Sequence, residues 1–180
     1  MTLWELLVVV ALVAIVAGAA MPTWRTAWES SRAAAWEAEL RGALGRARQY
    51  ALVHGTPVTL CGRDPDHAAA CAAGGGWSHG WRAFEDPQRD GGCIDNDGDG
   101  HCDGHGGRIL AAAAPPGAGL AVVHNHLISR RIRIDEDGLT PGHAGRLTAC
   151  RGADPVAGIV IATTGRVRPA EDGDYLACSP

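Results

Sequence analysis

The sequence predicts an α+β protein in which a long, partly transmembrane N-terminal helix packs on a disulfide-braced antiparallel β-sheet domain. Three observations support this prediction. Residues Leu6 to Met21 form an unbroken run of apolar residues and glycine. Helical periodicity then continues as far as Gly55. Beyond Gly55, short β-like runs alternate with glycine, proline and aspartate, and all six cysteines lie in this part.

These features divide the chain into three parts. Residues 1–24 are predicted to form a hydrophobic helix for a membrane or a filament core, residues 25–55 its amphipathic continuation, and residues 56–180 a β-rich globular domain. The net charge of -4 argues against a protein that binds nucleic acid over its whole surface, although basic residues can still cluster locally.

The apolar run is close to the length that spans a membrane. As a helix it measures about 24 Å, against a hydrocarbon core of about 30 Å. Leu3, Trp4 and the residues beyond Pro22 supply the remaining length. A cleaved signal peptide is the alternative, but no basic segment precedes the run and Glu5 stands at its start. We therefore expect a membrane helix.

The second part carries one apolar stripe at helical spacing, with arginines and glutamates on its other faces. Gly55 is a suitable C-cap. We expect the stripe to pack on the sheet, while the tryptophans near its start alternatively contact neighbouring subunits or the membrane interface. The stripe consists of Trp24, Trp28, Trp36, Leu40, Leu44, Ala47 and Ala51.

Eight short runs beyond Gly55 are predicted to be strands, but few of them contain aromatic residues, so no strand order is assigned. The predicted strands are residues 57–61, 81–85, 108–111, 120–123, 131–134, 146–150, 159–162 and 166–168.

The even number of cysteines favours disulfides over a metal site, since no two of them form a CxxC pair. Disulfides place the domain in an oxidising periplasmic or surface compartment. Other pairings are formally possible, but proximity in the sequence favours Cys61–Cys71, Cys93–Cys102 and Cys150–Cys178.

Thr2, Leu3, Glu5, Leu6 and Leu7 resemble the TLxELL signature of the type IV pilin family. The resemblance implies that a prepilin peptidase removes a basic leader, and that the enzyme then methylates the new N-terminus at Met1. It also implies that Glu5 attracts the Met1 amine of a neighbouring subunit in the filament centre. A buried charge needs such a partner.

Pro22 lies inside the predicted helix, where it has no N–H to donate to the carbonyl of Gly18. Glycine itself weakens a helix. We therefore predict a kink or a melting point between Gly18 and Pro22, where related filaments extend their subunits. The alternative is that the membrane helix ends there.

Three further segments resemble the GspH/FimT branch of this family. They are ALGRARQYALVHGTPVTLC (residues 43–61), GGWSHGWRAFEDP (75–87) and VIATTGRVRP (160–169). The resemblance implies a structural, non-enzymatic subunit of a type IV pilus or pilus-like filament. Its partners would be copies of itself or other pilins, and it would sit in the inner membrane before assembly into a periplasmic or extracellular filament. The alternatives are a minor pseudopilin of type II secretion and a DNA-capture module carried on the filament.

The segment Gly165–Arg168 matches the GRxR motif of DNA-binding members of this branch. Alternation along a strand would place Arg166 and Arg168 on one face, about 7 Å apart. Such a pair can reach adjacent phosphates in a salt-sensitive, sequence-independent contact. The alternative is a solvated edge, because acidic residues follow the motif. The predicted patch is widened by Arg130, Arg131 and Arg133.

Residues 93–103 contain a DxDxDGxxD array, which resembles a calcium-binding loop. Gly100 occupies the position of the sharp turn, but Gly106 stands where an EF-hand has a bidentate glutamate. Either Asp90 or Asp86 substitutes for that glutamate or the site is weak, and an acidic solvated turn is the alternative to a calcium site. The predicted calcium ligands are Asp95, Asp97, Asp99, the His101 carbonyl and Asp103.

Overall fold

The structure is a computed structural model that describes residues 2–104 and 107–178, with the side chains of residues 16–26 left out of the description. A single helix, α1, runs from Leu3 to His54. It ends at Gly55, which has the left-handed conformation (φ 62°) and donates its N–H to the carbonyl of Ala51 at 2.9 Å. The C-cap predicted at Gly55 is therefore confirmed.

Helix α1 is continuous across the stretch from Gly18 to Pro22. The membrane helix therefore does not end there in the single subunit. The side chains of this stretch lie outside the described residues, and a kink or a melting point in the filament stays a prediction. Where side chains are described, no helix is long and apolar enough to cross a membrane.

The described part of the chain beyond α1 forms eight strands and two short 3-10 turns, at Trp77–His79 and His126–Ile128. Every predicted strand is present. Most bounds move by one or two residues, but β7 begins earlier than expected. The strands are β1 (Val58–Gly62), β2 (Trp81–Glu85), β3 (Ile109–Ala113), β4 (Ala121–His124), β5 (Arg131–Ile134), β6 (Gly145–Arg151), β7 (Asp154–Ile161) and β8 (Val167–Pro169).

The strands form two antiparallel sheets rather than the single sheet expected from the sequence. One sheet has the order β3-β2-β1-β5 and the other the order β4-β6-β7-β8. The longest pairing joins β6 to β7 as a hairpin. Helix α1 contacts β1 and β5 of the first sheet and β7 and β8 of the second, so it lies across the place where the sheets meet.

The core lies between α1 and the two sheets. The helix contributes the predicted stripe from Trp36 to Ala51, all of it buried, and Ala33 extends the stripe by one more turn. Trp28 is 55% exposed, so the prediction that it belongs to the packed stripe is wrong. The reason is its position, because it precedes Ala33, the first buried residue of the helix among those whose side chains are described. Trp24, the other tryptophan at the start of the stripe, lies outside the described side chains.

Three disulfides join the pairs expected from proximity. They are Cys61–Cys71, Cys93–Cys102 and Cys150–Cys178, and no cysteine of the chain is free. The first two pack with Phe84 in a small cluster of their own. The third fastens the C-terminal segment to β6.

We call the part of the chain from Ala33 onwards, which contains both sheets, the head. We expect Leu40→Ala to destabilise the head by about 2–5 kcal/mol, since Leu40 is fully buried and its truncation leaves a cavity. The matched control is Leu52→Ala on the same helix, because Leu52 is 52% exposed. Denaturant unfolding of both variants measures the difference. Equal losses in the two variants would contradict the packing described here.

Candidate assembly surface and binding sites

The first turns of α1 carry apolar side chains exposed on all sides. Every residue from Thr2 to Ile15 is exposed, including Leu3 at 81%, Trp4 at 75% and Ile15 at 69%. A helix that is hydrophobic all round is normally buried in a membrane or in an assembly. Within the subunit this segment contacts neither sheet, so its partner comes from outside.

Glu5 is the one acidic residue of this segment. It is exposed, and its carboxylate accepts a hydrogen bond from the backbone N–H of Thr2 at 3.3 Å. A carboxylate in the first helical turn also interacts favourably with the helix dipole. Met1 lies outside the described residues, so the pairing of Glu5 with a neighbouring Met1 amine stays a prediction.

The predicted GRxR motif begins in the turn between β7 and β8 and continues into β8. Gly165 is buried with φ 73°, and a Cβ there would lie 2.1 Å from the carbonyl oxygen of Gly138. The turn can therefore close against the β5–β6 loop only with glycine at this place. Arg166 precedes β8 and is exposed, whereas Arg168 lies within the strand and pairs with Val160 of β7.

Arg168 is held by a carboxylate of the C-terminal segment. Its Nη1 donates to Oδ2 of Asp174 at 2.6 Å. The hydrogen bond from Arg168 lowers the pKa of the Asp174 carboxyl, and the same bond raises the pKa of Arg168. The ion pair partly neutralises the charge of Arg168. This agrees with the alternative of a solvated edge with acidic residues close to the motif.

The other three arginines of the predicted patch lie at β5: Arg130 precedes this strand, and Arg131 and Arg133 are part of it. Strand β5 is an edge strand of the first sheet, whereas β8, which contains Arg168, is an edge strand of the second. Arg133 donates to Asp135 at 2.9 Å, and Arg131 donates to the carbonyl of Asp90. Arg130 is exposed. In the described part of the chain, Arg130 and Arg166 are the members of the set whose side chains form neither an ion pair nor a hydrogen bond.

The acidic loop brings three of its predicted ligands together. Carboxylate oxygens of Asp95, Asp97 and Asp99 lie within 4.8 Å of one another. Asp103 is outside this group, and its carboxylate accepts two hydrogen bonds from Asn96, each at 3.0 Å. The His101 backbone N–H donates to Asp99 at 2.8 Å. Oxygen ligands at this spacing suit calcium, but calcium binding remains a proposal.

A buried cation lies behind the loop. Arg82 is 6% exposed and donates to the carbonyls of Ala69 at 2.5 Å and Ala68 at 3.3 Å. Burial lowers the pKa of its guanidinium, and the charge of Asp95 opposes that shift. Part of the negative charge of the loop is thereby balanced without a metal.

Asp86 is not available as a further ligand. It is buried, and its carboxylate accepts hydrogen bonds from the Thr59 hydroxyl at 2.6 Å and from the N–H groups of Asp90 and Gly91 at 3.1 Å. The expectation that Asp86 could complete the loop is therefore not supported by its geometry.

A polar network that the sequence did not suggest joins α1 to the first sheet. The Tyr50 hydroxyl donates to Glu85 and accepts from Arg108 at 3.0 Å. Burial alone would raise the pKa of Glu85, but the hydrogen bonds from Tyr50 and Arg108 and the charge of Arg108 lower it. The network borders a groove of about 310 Å³ between α1 and β3. No spacing pattern links these three residues in the sequence.

A long helix that is exposed from Thr2 to Ile15 and packed on antiparallel sheets from Ala33 to Ala51 is typical of a type IV pilin-like protein. The family model of the type II transport protein GspH matches residues 38–165, and the chain belongs to this family. Two crystal structures of the type IV minor pilin FimU of Pseudomonas aeruginosa (strain PAO1) have a similar fold. Their TM-scores are 0.57 and 0.53 at 13% identity, with 82% and 80% of this chain and 96% and 98% of theirs covered. No curated protein matched.

If the arginines bind DNA, the full chain in detergent should retain duplex DNA at low salt and release it as salt rises. Changing both Arg166 and Arg168 to alanine should abolish this binding. Arg41→Ala is the control, since Arg41 lies on α1 and is paired with Glu37. Electrophoretic mobility shift measures the binding, and no binding by the unchanged chain at low salt would contradict the prediction.

If the acidic loop binds calcium, chelation should lower the Tm of the head, because a ligand bound only to the folded state stabilises it. Asp97→Asn should remove the response to calcium. The control is Asp66→Asn, another exposed aspartate. Differential scanning calorimetry with and without chelator measures the shift, and an unchanged Tm of the native sequence would argue against a site.

Proposed function

We propose that this chain is a structural subunit of a type IV pilus or a pilus-like filament, held in the inner membrane by its N-terminal helix before assembly. The observation that supports this most is the segment from Thr2 to Ile15, which is exposed on every side. Full burial of one leucine or valine is worth about 1.5–3 kcal/mol, so the segment has a strong drive to find a partner.

This segment would be buried first in the membrane and then in the filament core. In the membrane, lipid chains would cover the apolar side chains and Glu5 would remain at the cytoplasmic border. In the filament, the helices of copies of this chain or of other pilins would replace the lipid. The head would then lie on the outside, in the periplasm or beyond the cell. A prepilin peptidase that also methylates the N-terminus would act before assembly.

The machinery that assembles the filament is either that of a type IV pilus or that of type II secretion. The GspH family supports a pseudopilin, and the fold shared with FimU supports a pilus subunit. Deletion of each assembly ATPase in turn would discriminate between the two machineries, since only one deletion should remove the chain from sheared filaments.

DNA capture is a further proposed task, supported by the exposed Arg166 but opposed by the pairing of Arg168 with Asp174.

We expect Glu5→Gln to reduce incorporation into filaments by about tenfold or more, since an unpaired buried amine costs several kcal/mol. The matched control is Glu39→Gln, because Glu39 is an exposed glutamate of the same helix. Quantitative immunoblots of sheared filaments and of membranes measure the effect. Normal incorporation of Glu5→Gln would contradict the proposed role of Glu5.

A further inference from the structure

The helix enters the head between Trp28 and Ala33. Trp28 is 55% exposed, whereas Ala33 is fully buried and Trp36 is 3% exposed. The guanidinium of Arg32 lies 5.7 Å from the centroid of the Trp28 ring. An exposed indole covered by a cation therefore marks the lower boundary of the head.

Two loops of the head meet the helix at this level. Arg151, at the β6–β7 turn, lies 3.8 Å from the carboxylate of Glu29. Gly117, in the β3–β4 loop, lies against Arg32, since a Cβ there would be 3.0 Å from Nη1. Asp154, the first residue of β7, is the charged exception among the exposed residues of these two loops and the start of β7. The others are small and uncharged, and include Pro115, Ala118, Gly119, Gly152, Ala153 and Pro155.

The distance along the helix places this level at a membrane surface. From Glu5 to Trp28 the helix rises about 35 Å at about 1.5 Å per residue. The hydrocarbon core is about 30 Å thick, and the headgroup layers bring the total to about 40–45 Å. With Glu5 at one border of the hydrocarbon, Trp28 lies in the opposite headgroup layer and Arg32 lies one turn further out.

We propose that Trp28 and Arg32 form a collar that binds phospholipid headgroups before assembly, which rests on the membrane anchoring proposed above. The indole lies among the glycerol and carbonyl groups, where amphipathic aromatic rings prefer to be. The guanidinium binds a lipid phosphate. The collar fixes the depth of the helix and holds the small loop residues of the head close to the membrane.

Charge favours lipid over a neighbouring helix as the occupant. Glu29 is already engaged by Arg151, and in the described part of the chain Arg32 has no carboxylate partner. An apolar helix laid on this surface would bury the guanidinium without a counter-charge, which is costly. A phosphate supplies the charge, and guanidinium and phosphate match in hydrogen-bonding geometry.

The test uses the full chain in vesicles of phosphatidylethanolamine and phosphatidylglycerol that contain a nitroxide lipid. The nitroxide is placed on the headgroup in one set and deep in the acyl chain in the other. The signal of Trp28 is the fluorescence difference between the native chain and Trp28→Phe. We expect the headgroup nitroxide to quench this difference about twofold more than the deep nitroxide. Equal quenching, or stronger quenching by the deep nitroxide, would overturn the collar.

The role of the guanidinium has its own test. Arg32→Gln should reduce the headgroup quenching of Trp28, and Arg32→Lys should retain most of it. Arg41→Gln is the matched control, since Arg41 is on the same helix within the head. Headgroup quenching of Trp28 that is unchanged in Arg32→Gln, or reduced equally in Arg41→Gln, would overturn the phosphate contact.

Flotation of the vesicles distinguishes a failure of the proposed membrane anchoring from a failure of the collar. If the chain does not float with lipid, the membrane step of the proposed function fails. If it floats but Trp28 escapes headgroup quenching, only the collar fails. If Trp28 escapes quenching and Trp28→Ala also blocks entry into filaments, the surface is a contact between subunits and the lipid collar is wrong.

Discussion

The packing of α1 across both sheets is the contact on which the rest of the structure depends. Helix α1 contacts β1 and β5 of one sheet and β7 and β8 of the other, and its buried stripe from Ala33 to Ala51 closes the core. The same helix continues without a break into a segment that the head leaves uncovered. A continuous helix thus links the exposed segment from Thr2 to Ile15 to the head. This property suits a subunit that must be placed in a helical array.

Disulfides and hydrogen bonds away from the helix also stabilise the head. Three disulfides brace loops that contain little secondary structure, and the buried carboxylate of Asp86 gathers the residues after β2. The β7–β8 turn combines a glycine that the fold requires with an exposed charge. Its glycine is required by the neighbouring loop, whereas the exposed arginine that follows is free of that constraint.

Local sequence patterns predicted the helix and the positions of the strands. They did not predict which strands pair with one another. The helix end at Gly55, the disulfide pairs and the positions of the strands followed from spacing and turn residues. The division into two sheets did not, because strand order depends on contacts distant in sequence that few side chains here specify. The exposure of Trp28 was not predicted from its place in the stripe, because it depends on where the head ends in space, which periodicity along the helix does not contain.

In the proposed filament, other pilin helices cover the segment from Thr2 to Ile15. A photo-crosslinking amino acid at Leu7, which is 54% exposed in the single subunit, tests this directly in cells that assemble filaments. We expect sheared filaments to contain this chain cross-linked through residue 7 to the N-terminal helix of another pilin. Filaments that contain the chain without such a cross-link, or with a cross-link only to the head of a neighbour, would contradict it.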